Sequence, residues 1–251
     1  MTTIFTLMLK HTLSDKISLF YAILFPLGMM AGISYFVDSQ DYLPFLLTGI
    51  ISMSILFWSM QGLAFQIYRQ KSKGVYQLLK ITPMKLTEFI AIMMIVRTLV
   101  AFVINILLLV GGFYFFNINF TAMSVIQCAG IILASSLCFS AIGFFISNVA
   151  KNEGQINAFS NILFLPMIFC TEAFYSLQSV PNWINAIGKC LPFHYVITSF
   201  RAAIGVQDGS VLIAITIILG FTILFFILTL FTSVNKNPFI HREKLLSKNN
   251  I

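Results

Sequence analysis

Few side chains in this sequence are suited to chemistry, and most of them lie inside or beside long apolar stretches. Arg97 follows Ile90 by seven positions within one such stretch. A charge buried in an apolar segment is a candidate functional group. The simpler interpretation, which we favour, is an arginine whose long side chain extends to the nearest aqueous surface.

A second candidate set is polar. Asn157 and Asn161 lie one helical turn apart, and Glu172 follows eleven residues later, or about three turns. We therefore expect the three side chains to share one face of a helix. Two interpretations stay open, since such a stripe forms hydrogen bonds between packed helices or subunits or lines a polar path.

The sequence contains no enzyme motif. The patterns G-x-x-x-x-G-K-[ST], H-E-x-x-H and G-x-S-x-G are all absent. The histidines at 11, 194 and 241 are too far apart to form a typical metal pattern, and we interpret His194 as an interfacial side chain. We predict no catalytic residue, no metal site and no cofactor in this chain.

Four cysteines occur, and no pair has the C-x-x-C spacing of a metal or redox site. Cys128 and Cys138 lie in an apolar run, which favours a packing role. Cys170 and Cys190 fall on the same predicted face, and spacing alone leaves their pairing open.

The composition places these residues in a membrane. The chain of 251 residues is 59% hydrophobic and 9% charged, whereas soluble domains are about 45–50% apolar and about 25% charged. Apolar runs of at least about 18 residues predict transmembrane helices. This excludes a soluble enzyme and a disordered chain, and it predicts an all-α membrane protein.

Six apolar runs predict six transmembrane helices, at 17–37, 45–67, 89–116, 123–146, 156–171 and 211–233. The fifth is the weakest and contains Pro166. Residues 1–16 alternate apolar side chains with lysine, which predicts an interfacial helix. We expect one domain over residues 1–251, with a six-helix bundle at 17–233 and a basic cytoplasmic tail at 234–251.

The charges orient this bundle. With a cytoplasmic N-terminus, the inner segments hold twelve of the fifteen Lys and Arg residues, the outer segments hold Lys189 and Arg201, and Arg97 lies within a helix. Positive charge collects in cytoplasmic loops, so both termini are predicted inside. The same bias explains the net charge of +7 without a nucleic-acid partner.

The predicted outer loop at 172–210 is the longest, and it mixes aromatic side chains with prolines. Short helices that enter the outer leaflet would satisfy their own backbone groups there. We predict re-entrant helices between the fifth and sixth transmembrane helices.

Two segments resemble a known family, the membrane subunits of type-2 ATP-binding-cassette exporters, which include daunorubicin-type and multidrug permeases. The first is Gly74-Val-Tyr-Gln-Leu-Leu-Lys-Ile-Thr-Pro83. The second runs through Asn161, Pro166, Val180-Pro-Asn-Trp183, Leu191-Pro-Phe-His-Tyr195 and Arg201-Ala-Ala. The chain departs from the family pattern where lysines precede Gly74, where an acidic residue is usual, and at Glu172 and Ser176, where Gly and Pro are frequent.

The resemblance implies a permease subunit of the bacterial plasma membrane that exports a hydrophobic or amphipathic cargo, such as a drug, an antimicrobial peptide, a lipid or a lipid-linked glycan. It implies two separate ATPase subunits, which bind ATP and Mg, and a second permease copy or a related permease. Its implied ATPase-coupling residues are Gly74, Tyr76, Leu78, Leu79, Lys80, Thr82 and Pro83. The candidate path or dimer-interface residues remain those taken from the intramembrane charge and the polar stripe, namely Arg97, Asn157, Asn161 and Glu172. The outer re-entrant residues that the resemblance implies are Pro181, Trp183, Pro192, His194, Tyr195 and Arg201.

Two other classes compete with this interpretation. A secondary transporter driven by an ion gradient would need carboxylates within its spans, and the apolar runs carry Glu88 and Glu172 only at their ends. An integral-membrane enzyme acting on lipids would need clustered Asp, His or Glu at one membrane face, a pattern that we do not find.

The charge split makes a testable prediction about orientation. In a cysteine-free background, Ser179→Cys should react with a membrane-impermeant thiol reagent in intact cells, whereas Ser72→Cys should react only after the cells are opened. The opposite labelling pattern would reverse the predicted topology.

Overall fold

The computed structural model describes residues 2–36, 42–75, 86–175 and 181–235 of the chain. Within these ranges the regular secondary structure is helical and contains no strand. The predicted all-α class is therefore confirmed for the described part of the chain.

The helices follow one another with short connections. Their bounds are α1 Thr2–Ser14, α2 Lys16–Phe36, α3 Leu43–Leu56, α4 Leu63–Ser72, α5 Leu86–Phe115, α6 Ala122–Val149, α7 Glu153–Phe169, α8 Asn182–Lys189, α9 Pro192–Ala203 and α10 Val211–Asn235. Between α3 and α4 the chain is π-helical over Phe57–Gly62, which we call the π segment. The three pieces form one continuous apolar helix, Leu43–Ser72.

Four stretches of the described residues are long and apolar enough to cross a membrane: Leu43–Ser72, Glu88–Phe115, Ala122–Val149 and Val211–Thr232. They correspond to the second, third, fourth and sixth predicted spans. The first and fifth predicted spans are helical as α2 and α7. The 17 residues of α7 fall just short of the roughly 20 that a perpendicular span needs.

The end of α7 corrects one prediction. The helix stops at Phe169, and Cys170 leaves helical geometry with φ −95° and ψ 9°. The helix was expected to continue to residue 171, which would have placed Glu172 on the face of Asn157 and Asn161. That shared face is wrong for Glu172, because the chain has already turned away from the helix axis.

The predicted outer segment contains two short helices, α8 and α9. Pro181 precedes α8 and Pro192 is the first residue of α9. Proline suits these positions because its fixed φ fits a helix start, where its missing N–H removes no internal hydrogen bond. The helix α9 packs against α3, α6 and α10.

At the other end of the bundle, α1 packs against α5. Met8 is buried with Phe89, Ile90 and Met93, and Thr12 is 1% exposed. The predicted N-terminal helix therefore exists, and part of its apolar surface packs on α5, whereas Leu7 and Leu13 are exposed. Most of the predicted coupling segment, residues 76–85, and the tail from residue 236 lie outside the described residues.

The helix α6 forms the centre of the bundle and packs against α4, α5, α9, α10 and the π segment. Its N-terminus is capped by Thr121, whose Oγ1 accepts the Ser124 amide at 3.1 Å. Small side chains such as Ser136 and Ser140 are fully buried along it. Small residues allow membrane helices to approach closely.

One such close approach of α6 is at Gly143. A Cβ built on this residue would lie 2.2 Å from the Met60 carbonyl oxygen of the π segment. Since backbone atoms form the opposing surface, a larger side chain has no room unless α6 and the π segment separate.

The outward face of α10 differs from this packed centre. Leu212, Ile213, Ile223 and Phe231 are each more than 60% exposed. A surface of this kind is unfavourable in water and favourable against lipid, in agreement with a membrane-embedded bundle.

Gly143→Ala should lower stability by about 1–3 kcal/mol, since overpacking outweighs the gain in helix propensity. The matched control is Gly220→Ala, because a Cβ there meets nothing within 4 Å. We expect a lower thermal midpoint for the first variant in size-exclusion assays of detergent-purified protein, and an unchanged or higher midpoint for the second. Equal midpoints would contradict the close packing.

Candidate functional site

The Arg97 side chain is fully buried, with 0% of its surface exposed. The predicted extension of this side chain to an aqueous surface is therefore wrong. The guanidinium instead points into the bundle, towards the π segment and α4.

Neutral groups hold this guanidinium. Arg97 Nε donates to the Trp58 carbonyl at 3.0 Å, and Trp58 Nε1 donates to the Arg97 carbonyl at 3.2 Å. Arg97 Nη1 donates to Gln66 Oε1 at 2.9 Å, and Gln66 Nε2 donates to Thr12 Oγ1 at 3.2 Å. We call Arg97, Trp58, Gly62, Gln66 and Thr12 the Arg97 cluster; it connects α1, the π segment, α4 and α5.

Burial of a charge is costly unless the charge is hydrogen-bonded. A hydrogen bond to a charged group contributes about 1.5–3 kcal/mol. The Arg97 Cζ also lies 4.2 Å from the centroid of the Trp58 ring, a cation–π contact worth about 2 kcal/mol when desolvated. Among charged groups, Asp15 attracts and Arg69 repels the guanidinium. Arg97 Nη2 has no hydrogen-bond partner among the described residues.

Arg97 bonds to the backbone of the long helix within the π segment. Leu63 N–H donates to the Met60 carbonyl, whereas an α-helical ladder would take it to Ser59. Such interruptions of the regular ladder are frequent at functional sites. They let a side chain bond to the backbone within a helix, as Arg97 does at Trp58.

The π segment also contacts α2 and α7. The Phe57 ring lies 6.3 Å from the Phe25 ring of α2 and 4.2 Å from the Phe164 ring of α7. Gln61 Nε2 donates to Asn157 Oδ1 at 3.1 Å. Two of the residues singled out from the sequence, Arg97 and Asn157, therefore meet the same six-residue segment from different helices.

The helix α7 presents a mixed face that the other described residues leave uncovered. Asn157 and Asn161 are exposed, and Ile162, Leu165 and Phe169 are each at least 50% exposed. An exposed amide beside large apolar side chains suits a contact with protein or an amphipathic molecule better than contact with lipid.

A second buried arginine lies near the start of α3. Arg201 of α9 is 1% exposed, its Nη1 lies 3.2 Å from Glu172 Oε2, and its Nη2 donates to the Glu172 carbonyl. The Arg201 Cζ lies 4.4 Å from the centroid of the Phe45 ring. Tyr42 OH donates to the Phe174 carbonyl. These five residues form the Arg201 cluster, which ties α9 and the turn after α7 to α3.

The remaining residues of the predicted outer segment occupy different environments. Trp183 is 64% exposed on α8, whereas His194 is half-buried and its ring meets the Tyr195 ring edge-on at 5.3 Å. Tyr195 OH donates to the Lys189 carbonyl at 3.0 Å, which ties α9 to the end of α8. Burial lowers the pKa of His194 below its ordinary value, so the neutral imidazole is favoured.

Of the predicted coupling residues, the structure describes Gly74 alone. Its φ of 75° lies in the left-handed region that glycine adopts without strain, just beyond the end of α4. The residues Tyr76, Leu78, Leu79, Lys80, Thr82 and Pro83 fall outside the described ranges.

Neither a metal centre nor a disulfide is found in the described part of the chain. The described residues contain no group of three or more His, Cys, Asp or Glu side chains placed to hold a metal ion. Cys128, Cys138, Cys170 and Cys190 are all free thiols.

Sequence reasoning missed the partners of both arginines, namely Trp58, Gly62, Gln66 and Phe45. One signal was present, because Gln61, Gly62 and Gln66 interrupt the apolar run of the second predicted span. Amide side chains within a span generally face protein or water. The π-helical turn that brings Trp58 to Arg97 has no comparable signature.

The Arg201 cluster makes a prediction with a built-in comparison. Arg201→Gln leaves the Glu172 carboxylate without its cation and should destabilise the protein by about 2–4 kcal/mol. Arg69→Gln is the control, since Arg69 and Glu153 form an exposed pair at 3.9 Å of a kind worth about 0–1 kcal/mol. Equal decreases in the thermal midpoints of the two purified variants would show that the Arg201 cluster is no stronger than a surface pair.

Comparison with known proteins identifies the family of this chain. The family model described as ABC-2 type transporter matches residues 2–204. The chain is similar to the inner membrane transport permease YadH of Escherichia coli K12, with 23% identity over 189 residues that cover 75% of this chain and 73% of the relative. The permease of the same name from Shigella flexneri matches to the same extent. Since the family match spans well over half of this helical, apolar chain, the chain belongs to the ABC-2 type transporter family.

Proposed function

We propose that this chain is the permease subunit of an ATP-driven exporter in a bacterial inner membrane. The observation that carries the proposal is family membership over residues 2–204. The relatives named inner membrane transport permease support the same membrane and the same class of activity.

The proposal gives energy conversion to separate chains. This sequence has no P-loop pattern, and a P-loop is what cradles nucleotide phosphates in the common class of transport ATPase. Two cytoplasmic ATPase subunits would bind ATP and Mg²⁺, and the permease would take up their motion. Both termini and residues 73–85 would then face the cytoplasm, as the distribution of Lys and Arg supports.

We assign the coupling role to residues 74–80. Tyr76, Leu78 and Leu79 stand among lysines in a short connection. Apolar side chains with a charged rim are typical of a protein-docking patch. Because this connection joins α4 to α5, movement at the patch would act directly on the two helices that hold the Arg97 cluster.

We assign the transport path or the subunit interface to the mixed face of α7. Asn157 and Asn161 are exposed in the single chain, and the aromatic and aliphatic side chains beside them offer an apolar surface. In a dimer of two copies, or with a related permease, these faces would meet around the path. The fully buried Arg97 would support this face from behind instead of touching the cargo.

The outer end of the path would be closed by the segment that contains α8 and α9. The amphipathic helix α8 exposes Trp183 and Ile187 one turn apart, which suits a helix entering the lipid interface. With α2 and α7 as two further membrane helices, the bundle would have six spans. A path lined in this way favours a hydrophobic or amphipathic cargo, such as a drug, a peptide, a lipid or a lipid-linked glycan.

The decisive test combines co-purification with a loop variant. The double substitution Leu78→Asp and Leu79→Asp should lose the ATPase partner, since a charge stranded in an apolar contact costs several kcal/mol. Insertion should be unaffected because the spans are untouched. We expect normal membrane abundance, loss of the ATPase from the tagged permease, and loss of export of a fluorescent amphipathic dye.

Ser72→Asp is the control, because it adds a carboxylate near the same loop without removing an apolar side chain; it should keep the ATPase. A double variant that retains both ATPase and export would refute the coupling assignment. The ion-driven alternative would be favoured if the unsubstituted permease exported the dye without the ATPase and if this export ceased when the proton gradient was collapsed.

A further inference from the structure

We propose that Arg97 is a positioning residue: its guanidinium holds the π segment in its present register, and the π segment sets the position of Asn157 on α7. The inference deepens the proposed function, because the mixed face of α7 is the one assigned there to the path or subunit interface. It assigns a task to a charge that is fully buried within the chain.

The first step concerns the contacts that Arg97 makes with the π segment. The two residues Arg97 and Trp58 exchange hydrogen bonds, each side chain donating to the other's carbonyl, at 3.0 and 3.2 Å. The guanidinium also faces the Trp58 ring. Two reciprocal bonds and a facing ring fix both the height and the rotation of Trp58 relative to α5.

The second step is selection of register at Gly62. A Cβ placed on Gly62 would lie 1.7 Å from Arg97 Nη2, so the guanidinium occupies the space that a side chain would need. A shift of the segment by one residue would bring Gln61 or Leu63 to that place. The guanidinium therefore excludes a shift of the π segment by one residue in either direction, because only glycine leaves enough space beside it.

The third step carries the register to α7. Gln61 precedes Gly62 and donates to Asn157 Oδ1 at 3.1 Å. At the start of the segment, the Phe57 ring lies 4.2 Å from the Phe164 ring on the same helix α7. These contacts lie two helical turns apart on α7, so a change in register would alter both its height and its rotation.

Packing at the centre of the bundle also limits the sideways movement of the π segment. On α6, Gly143 leaves no space beside the Met60 carbonyl. The segment is thus confined between the guanidinium of α5 and the backbone of α6. Its remaining freedom is a change of register, which is the movement that Arg97 opposes.

The test measures the distance between Gln61 and Asn157 by thiol cross-linking. The two residues are replaced by cysteine, as Gln61→Cys and Asn157→Cys, in the full chain with its four native cysteines replaced by alanine. A short homobifunctional maleimide is applied to inner-membrane vesicles, and intramolecular products are identified by peptide mapping. The single-cysteine variants report links formed between copies.

Three substitutions are compared in this background. Arg97→Lys keeps the charge but loses the planar fork that bonds Trp58 and Gln66 together. Gly62→Ala keeps Arg97 and displaces its guanidinium. Gly111→Ala on α5 is the matched control, since a Cβ there meets nothing within 4 Å.

We expect Arg97→Lys and Gly62→Ala to lower the intramolecular cross-linking yield several-fold at equal membrane abundance, and Gly111→Ala to leave it unchanged. Unchanged yields in both test variants, or an equal loss in Gly111→Ala, would overturn the proposal. If Arg97→Lys is not inserted, Gly62→Ala decides alone, because it removes no charge and raises helix propensity.

A spectroscopic measurement supplies the second readout. The chain has two tryptophans, so Trp183→Phe leaves Trp58 as the single emitter. The fluorescence spectrum of Trp58 should shift in Arg97→Lys and Gly62→Ala and stay constant in Gly111→Ala. A constant spectrum in all three variants would contradict the proposed positioning of Trp58 by Arg97. Both assays use the permease without ATPase or cargo, so their results do not depend on the proposed export activity.

Discussion

The guanidinium of Arg97 is fully buried, and it donates hydrogen bonds to a backbone carbonyl and to an amide side chain of a neighbouring helix. The acceptor carbonyl belongs to Trp58, within the π segment, where the regular ladder is disturbed. Gly62 leaves the space that the guanidinium occupies, and Gly143 allows α6 to approach the same segment closely. The buried charge and the irregular turn therefore meet at one place in the long helix.

The long helix Leu43–Ser72 is held by an arginine in each half. Arg201 lies over Phe45 near its start, and Arg97 bonds to Trp58 and Gln66 in its second half. Phe45 and Gln66 are 21 residues apart, or about 30 Å along a helix, which is close to the thickness of a bilayer core. The two clusters attach different helices to the long helix Leu43–Ser72, so movement of this helix would displace its neighbours at both of its ends.

Sequence patterns predicted the helical class and the short helices around Pro181 and Pro192, and four of the six predicted spans match helices of sufficient length, because apolar runs and proline positions are local properties. The partners of Arg97 and Arg201 were not predictable in this way. Trp58 lies 39 positions before Arg97, and Glu172 lies 29 positions before Arg201, and no local rule connects such pairs. The end of α7 was misplaced because apolar composition continues past Phe169 while the backbone turns.

The length of the helix that contains the π segment affects how a cytosolic protein would approach the bilayer. Its 30 residues measure about 45 Å, against a hydrocarbon core of about 30 Å. The surplus coincides with its last turns, where Arg69, Lys71 and Ser72 are exposed. Under the proposed orientation these turns would extend beyond the hydrocarbon core on the cytoplasmic side, so a docking protein would meet protein before it met lipid.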